Sequence, residues 1–477
     1  MSDRVDSPAA RLSGDHLPAV IVTGSAGVGL ERAHSRTASR LDNAISAGIF
    51  AALAVTALTH GAVEPWSVAI FELIIIALIL MWAVKSVNER RLTINVPNAA
   101  LPLIALLALG VVQSLATTDS SGLRASLSMD VEATRGAVTV LFFLVVSFFM
   151  AATFFVNRER FQTLVSFLAV YGLAMAVFAL VQHFTWDGKF YWIRPNTQSA
   201  SPFGPFVNHN HFAGYMEMLL PVPLAVAVTR GVRHEARIFY GFAAAVMGIS
   251  AITSLSRGGM LSLIAGLLFI AVMSGRVHPE RANKRDRPSG RRSALDGLSR
   301  PAAVVAIVVA MGAGVLWIGP DAVIERVTGK ANNAGETFFG SRGWIWRDTV
   351  SMIKANPAIG VGLGAYQTAY SIYSRSDGSL LVGYAHNDYL QILADGGIIG
   401  AAIALWFIVA IFRAVGRGLR QEDPLIAGVA LGSGAAIFSI LVHSVIDFNL
   451  QLPSNALLFL VLAAVAAHIG SLRKASE

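Results

Sequence analysis

The chain has 477 residues, 55% of them hydrophobic and only 14% charged, against roughly 45–50% and 25% in an ordinary soluble domain. Its apolar residues arrive in blocks of about twenty, the length that crosses ~30 Å of hydrocarbon as a helix, which excludes a soluble enzyme and makes this a polytopic membrane protein. The net charge of +8 lies between those blocks instead of on one soluble face, so no nucleic-acid partner is expected.

Residues 1–41 contain Gly, Ser, Pro and five arginines but no apolar run long enough for a signal peptide. They read as a disordered cytoplasmic tail. Gly24-Ser25-Ala26-Gly27-Val28-Gly29 has the glycines of a phosphate loop without its Gly-Lys-Ser/Thr ending, and reads as linker. Apolar blocks then fall near residues 42–61, 66–86, 98–116, 136–156, 161–182, 211–229, 237–255, 258–275, 301–319, 391–412, 425–446 and 453–472. That makes about twelve transmembrane helices.

With a cytoplasmic N-terminus, the inner side collects 26 Lys and Arg against 14 Asp and Glu, eight of the basic residues lying between Arg276 and Arg300. The outer side and the spans hold 11 against 15. This alternation satisfies the positive-inside rule, so both termini are expected in the cytoplasm and the long segments 183–210 and 320–390 outside. The expected fold is an all-α membrane protein: spans one to nine over residues 42–319, a large outer loop over 320–390, and spans ten to twelve over 391–477. No long internal repeat is visible, which argues against a transporter built from two related halves.

Several residues stand where chemistry would need them. The segment Gly204-Pro205-Phe206-Val207-Asn208-His209-Asn210-His211-Phe212-Ala213-Gly214-Tyr215 opens the sixth span. Asn208 and His211 there suit a substrate-facing or helix-capping role, and without a carboxylate or cysteine at ligand spacing no metal site is expected. Glu72 and Glu217 lie inside spans, where carboxylates face the bundle interior. Arg257, in Leu255-Ser256-Arg257-Gly258-Gly259, sits at the outer junction of two spans, where a guanidinium needs an anion or water. Its planar fork suits phosphate.

In the large loop, residues 341–350 form an amphipathic helix that stops before Pro357. Arg342, Ile345, Trp346 and Thr349 share one face, while Arg347 lies about 140° from Arg342. Only one of these two arginines can aim at a site beneath. A turn over Gly360 to Gly364 follows, and then His386-Asn387-Asp388-Tyr389-Leu390-Gln391. Asp388 with Gln391 resembles a capping box, which puts His386 just outside a helix N-terminus. The dipole there disfavours an imidazolium, leaving a histidine able to act as a general base. Asp395-Gly396-Gly397 early in the tenth span reads as a kink or a close helix contact.

Together these motifs, over residues 200–400, resemble the O-antigen ligase and O-antigen polymerase superfamily of bacterial surface-polysaccharide assembly. The resemblance implies a GT-C-like membrane glycosyltransferase of the inner membrane whose catalytic loop is periplasmic. It implies a polyprenyl (undecaprenyl) diphosphate-linked glycan donor, a glycan or lipid A-core acceptor, and neither metal nor nucleotide cofactor. By motif, His386 matches the family's catalytic histidine and Arg257 and Arg342 its diphosphate-binding arginines. Trp346, Arg347, Asn387 and Tyr389 stand beside them as substrate-binding candidates. The reading from another class is a flippase or exporter of the same lipid-linked sugars, which would need a polar path through the bundle.

Overall fold

The computed structural model describes residues 19–23, 36–118, 124–196, 201–277, 299–319, 323–324, 340–375 and 381–472. The Gly24 to Gly29 stretch, most of the basic loop before Arg300 and most of residues 320–339 lie outside these.

Each apolar block carries a helix. In chain order these are α1 (Arg36–Leu58), α2 (Pro65–Asn88), α3 (Ala100–Gln113), α4 (Val131–Phe154), α5 (Arg158–Phe184), α6 (His209–Leu219), α7 (Pro221–Thr229), α8 (His234–Thr253), α9 (Arg257–Met273) and α10 (Arg300–Ile318). The outer segment adds α11 (Gly340–Ala355) and α12 (Tyr366–Tyr373), and the chain continues through α13 (Asp388–Gly418), α14 (Pro424–His443) and α15 (Pro453–Ile469). Among the described residues 10 spans are long and apolar enough to cross a membrane. One of them is α6 with α7, since Pro221 removes a ladder hydrogen bond while Leu220 keeps helical angles. The blocks at α3 and α15 are shorter, at 14 and 17 residues.

Side-chain caps start several helices: Asp130 accepts from the Ala133 N–H, Asn157 from Arg160, Ser256 from Gly259 and Asp423 from Leu425. The α6–α7 span is buried throughout its apolar window and α14 over most of its own, whereas most of the α2 and α10 windows are not buried within the protein. Residues 1–41 are not tail throughout. The β-branched run Ala19–Thr23 forms strand β1, parallel to β2 (Arg91–Asn95), and α1 already begins at Arg36.

Contacts sort the connections into two ends. At one, Lys85 pairs with Asp42 at 3.3 Å, Arg158 with Asp423 at 2.8 Å, and Arg417 donates to the Gly470 carbonyl at 2.7 Å. At the other, His60 meets the Pro205 carbonyl at 2.9 Å, Arg194 pairs with Glu64, and the Ser454 N–H reaches the Gly61 carbonyl at 3.3 Å. These groupings set the connections expected inside apart from those expected outside.

The outer segment has its own small core around Ile345, Met352, Val361, Tyr366 and Ala385. It is fastened where α13 breaks at Gly397, whose φ of 61° and ψ of −162° leave the helix. Across that break the Val361 N–H donates to the Ala394 carbonyl at 2.9 Å and the Ile398 N–H to Pro357 at 2.9 Å. Only glycine fits: a Cβ on Gly397 would lie 2.4 Å from the Ala358 backbone, and one on Gly360 (φ 71°) 2.4 Å from that of Asp395. The Asp395-Gly396-Gly397 motif is thus a kink and a close contact at once.

Candidate active site

His386 stands immediately before α13 in a left-handed backbone, with φ of 50°. For a residue with a Cβ this costs on the order of 1–3 kcal/mol and persists only when the surroundings impose it. Here they do so on both sides. The Trp346 indole donates to the Ala385 carbonyl at 3.0 Å, and the Asn387 amide donates to the Val445 carbonyl at 2.8 Å.

Asn387 is also the N-cap of α13, accepting from the Tyr389 and Leu390 N–H groups at 2.9 and 3.0 Å. This corrects the capping box expected from Asp388. The Asp388 carboxylate instead accepts from Ser444 Oγ at 2.8 Å, Gln451 Nε2 at 3.1 Å and the Leu450 N–H at 3.3 Å. A carboxylate held by three donors from another segment cannot cap its own helix, and Asn387 one position earlier supplies the acceptor. Gln391 does reach back, to the Ala385 N–H at 2.8 Å.

The segment that Asp388 secures brings in a residue that sequence reasoning missed, Asp447. Its Oδ1 lies 3.7 Å from His386 Nδ1 and 4.0 Å from His211 Nε2, and its side chain is 1% exposed against 32% for His386. Phe448 packs edge-on against both imidazoles, with centroids 4.8 Å from His386 and 4.9 Å from His211, and stacks on Tyr384. Burial alone would raise the Asp447 carboxyl. The neighbouring imidazoles of His386, His211 and His443 and the Arg342 guanidinium outweigh it and hold this group well below the usual carboxylate range. Among the described residues, His386 Nδ1, His211 Nε2 and Asp447 Oδ2 are buried with no hydrogen-bond partner, so three polar atoms converge here with capacity to spare.

Arg342 donates to the Ile446 carbonyl, the peptide next to Asp447. Arg347 does not join it: more than half exposed, it pairs with Asp348 at 3.2 Å, with Arg375 3.9 Å from the same carboxylate. Of the two arginines that share α11, Arg342 is the one at this segment, and Arg347 is not brought together with His386. Arg257 opens α9 just after Leu255, another left-handed residue at φ 61°. A Cβ on the adjacent Gly258 would lie 2.7 Å from the His443 ring, so this first turn packs against α14 four residues before Asp447.

Asn208 caps α6 through the Asn210 N–H at 2.9 Å, and Tyr389 donates to the Leu441 carbonyl at 2.8 Å. Glu217 is fully buried; both its oxygens lie 3.2 Å from His443 Nδ1, and Ser262 donates to it. Glu72 is only partly buried. The signal for Asp447 was its place four residues after His443, the two polar groups closing the apolar run of α14.

The stretch carrying Arg257, Arg342 and His386 can now be set beside known families. Residues 242–405 match the family model for O-antigen ligase. That stretch is thus similar to the O-antigen ligase family, in agreement with the resemblance read from its motifs. The match supports a membrane enzyme of polysaccharide assembly, and the spans are those of a multi-pass membrane protein. No curated protein matches the sequence. Of the groups around this site, Asp447 and His443 lie after the matched stretch and Glu217 before it.

Proposed function

We propose that the protein is a glycosyltransferase that takes glycan from an undecaprenyl-diphosphate donor at the periplasmic face of a bacterial inner membrane, both termini facing the cytoplasm. His386 accepts the proton of an acceptor hydroxyl as that oxygen attacks the anomeric carbon. The bond from that carbon to the lipid diphosphate breaks, and Arg257 and Arg342 meet the charge left on the diphosphate without a divalent cation. One displacement inverts the anomeric centre. Asp447 stays ionised, orients the His386 ring and balances the imidazolium once it forms.

One observation carries this reading: a strained His386 faces a buried carboxylate, with Arg342 on the neighbouring carbonyl. The gathering of these groups at one end of the bundle supports an enzyme over a flippase, which would need them strung along a path. Of the two reactions open to this class we favour polymerisation, the joining of lipid-linked repeats to one another, over ligation to a lipid A-core. A null mutant analysed for lipid-linked intermediates tests the choice: single repeats accumulate if the reading is right, and full-length lipid-linked chains if the protein is a ligase.

A further inference from the structure

The basic end of the bundle holds a feature that the outer site does not use. A cleft of about 470 Å³ opens where α5 and α8 begin, lined by Arg158, Gln162, Gly231, Val232, Arg233 and Ala236. Among the described residues two guanidiniums line it and no carboxylate does. Asp423 sits beside it, accepting from Arg158 Nε at 2.8 Å, while Arg158 Nη2 leans on the Gly231 carbonyl at 3.4 Å. These contacts fix the Arg158 head and use two of the five N–H donors of its fork. Gln162, one turn after Arg158, adds an amide on the same helix face.

The position of the cleft says which anion it suits. It lies at the ends of two spans, at headgroup depth, and farther along both helices present exposed apolar side chains, Val170 and Val177 on α5 and Phe239 and Phe242 on α8. A free phosphate would gain only contacts with exposed arginines, which water and salt weaken. A phosphate that carries acyl chains gains the apolar surface as well, and basic pockets between spans are suited to such headgroups. We infer that this cleft binds the phosphate headgroup of an anionic phospholipid, held by Arg158 and Arg233, with the acyl chains lying along α5 and α8.

The test is native mass spectrometry of the full chain in detergent, titrated with dioleoyl phosphatidylglycerol or dioleoyl phosphatidylcholine. Two arginines at about five-fold each, the equivalent of ~1 kcal/mol per basic residue near the surface, predict roughly twenty-five-fold stronger retention of phosphatidylglycerol. Arg233→Gln should lower that preference about five-fold. Gln162→Glu, which leaves the Arg158–Asp423 pair in place, should lower it at least as much. An equal concentration of inorganic phosphate should not displace the lipid. Equal retention of the two lipids, an unchanged preference in both variants, or displacement by inorganic phosphate would each overturn the assignment.

Discussion

At the basic end of the bundle Arg158 and Asp423 meet with 56% and 27% of their side chains exposed, whereas near the outer end His443 and Glu217 meet at 1% and 0%. Each sets a basic side chain against a carboxyl group, but their energetics differ. An exposed pair gains little, about 0–1 kcal/mol, because water solvates each partner almost as well. A buried pair must first give up that solvation, and packed apolar residues of similar volume would often serve stability as well or better. The other end nonetheless buries Glu217, His443, Asp388 and Asp447. Stability alone does not account for that arrangement; the reaction proposed there would.

The contrast breaks most sharply at Glu217. Glu217→Ala leaves His443 and Ser262 buried without their acceptor and should cost ~3 kcal/mol of stability, read as a lower melting temperature in detergent. Replacing Glu217 and His443 together by leucine should recover much of that loss. A single variant as stable as wild type would mean that the pair is not desolvated. Next comes Arg342→Lys, which keeps the charge but loses the fork, and should slow transfer by roughly 10²-fold. Arg347→Lys should stay within about two-fold of wild type, since its guanidinium faces Asp348. The reverse pattern would move the site to the other face of α11.

Asp447 sharpens the comparison through pH. A carboxyl held below its ordinary value contributes stability in full above about pH 4 and loses it only as pH falls through the lowered value. The difference in melting temperature between wild type and Asp447→Asn should therefore be flat from about pH 8 to 5 and shrink only in stronger acid. A difference that already fades near pH 6 would show that the carboxyl is not held low. The smallest effect belongs to the basic end. A double-mutant cycle on Arg158 and Asp423 should give a coupling below ~1 kcal/mol that falls with added salt.

These differences also explain what the amino-acid order made legible. Spans could be read because a lipid-facing helix must be apolar over its whole length, and every block does carry a helix. Arg257 and His386 stood out as polar groups at span ends, and the 100° helical step separated Arg342 from Arg347. Asp447 was not legible because it meets His386 only through tertiary packing, across 61 positions of sequence. Choosing Asp388 as the cap failed for the same reason: its partners Ser444, Leu450 and Gln451 come from a connection that local patterns do not bring near. The strand at Ala19–Thr23 did have a local signal, a short β-branched run, inside a stretch whose composition reads as tail.

The central claim, metal-independent transfer with His386 as base, is tested most directly by assaying purified wild-type and His386→Ala protein on undecaprenyl-diphosphate-linked glycan, with and without EDTA. Wild type should transfer equally well in both conditions, with inverted product by NMR. His386→Ala should lose ~10²–10⁴-fold in rate while binding the donor nearly as well, because donor affinity is assigned to the arginines and the lipid. Full activity in His386→Ala, or a loss on chelation that magnesium restores, would contradict the account.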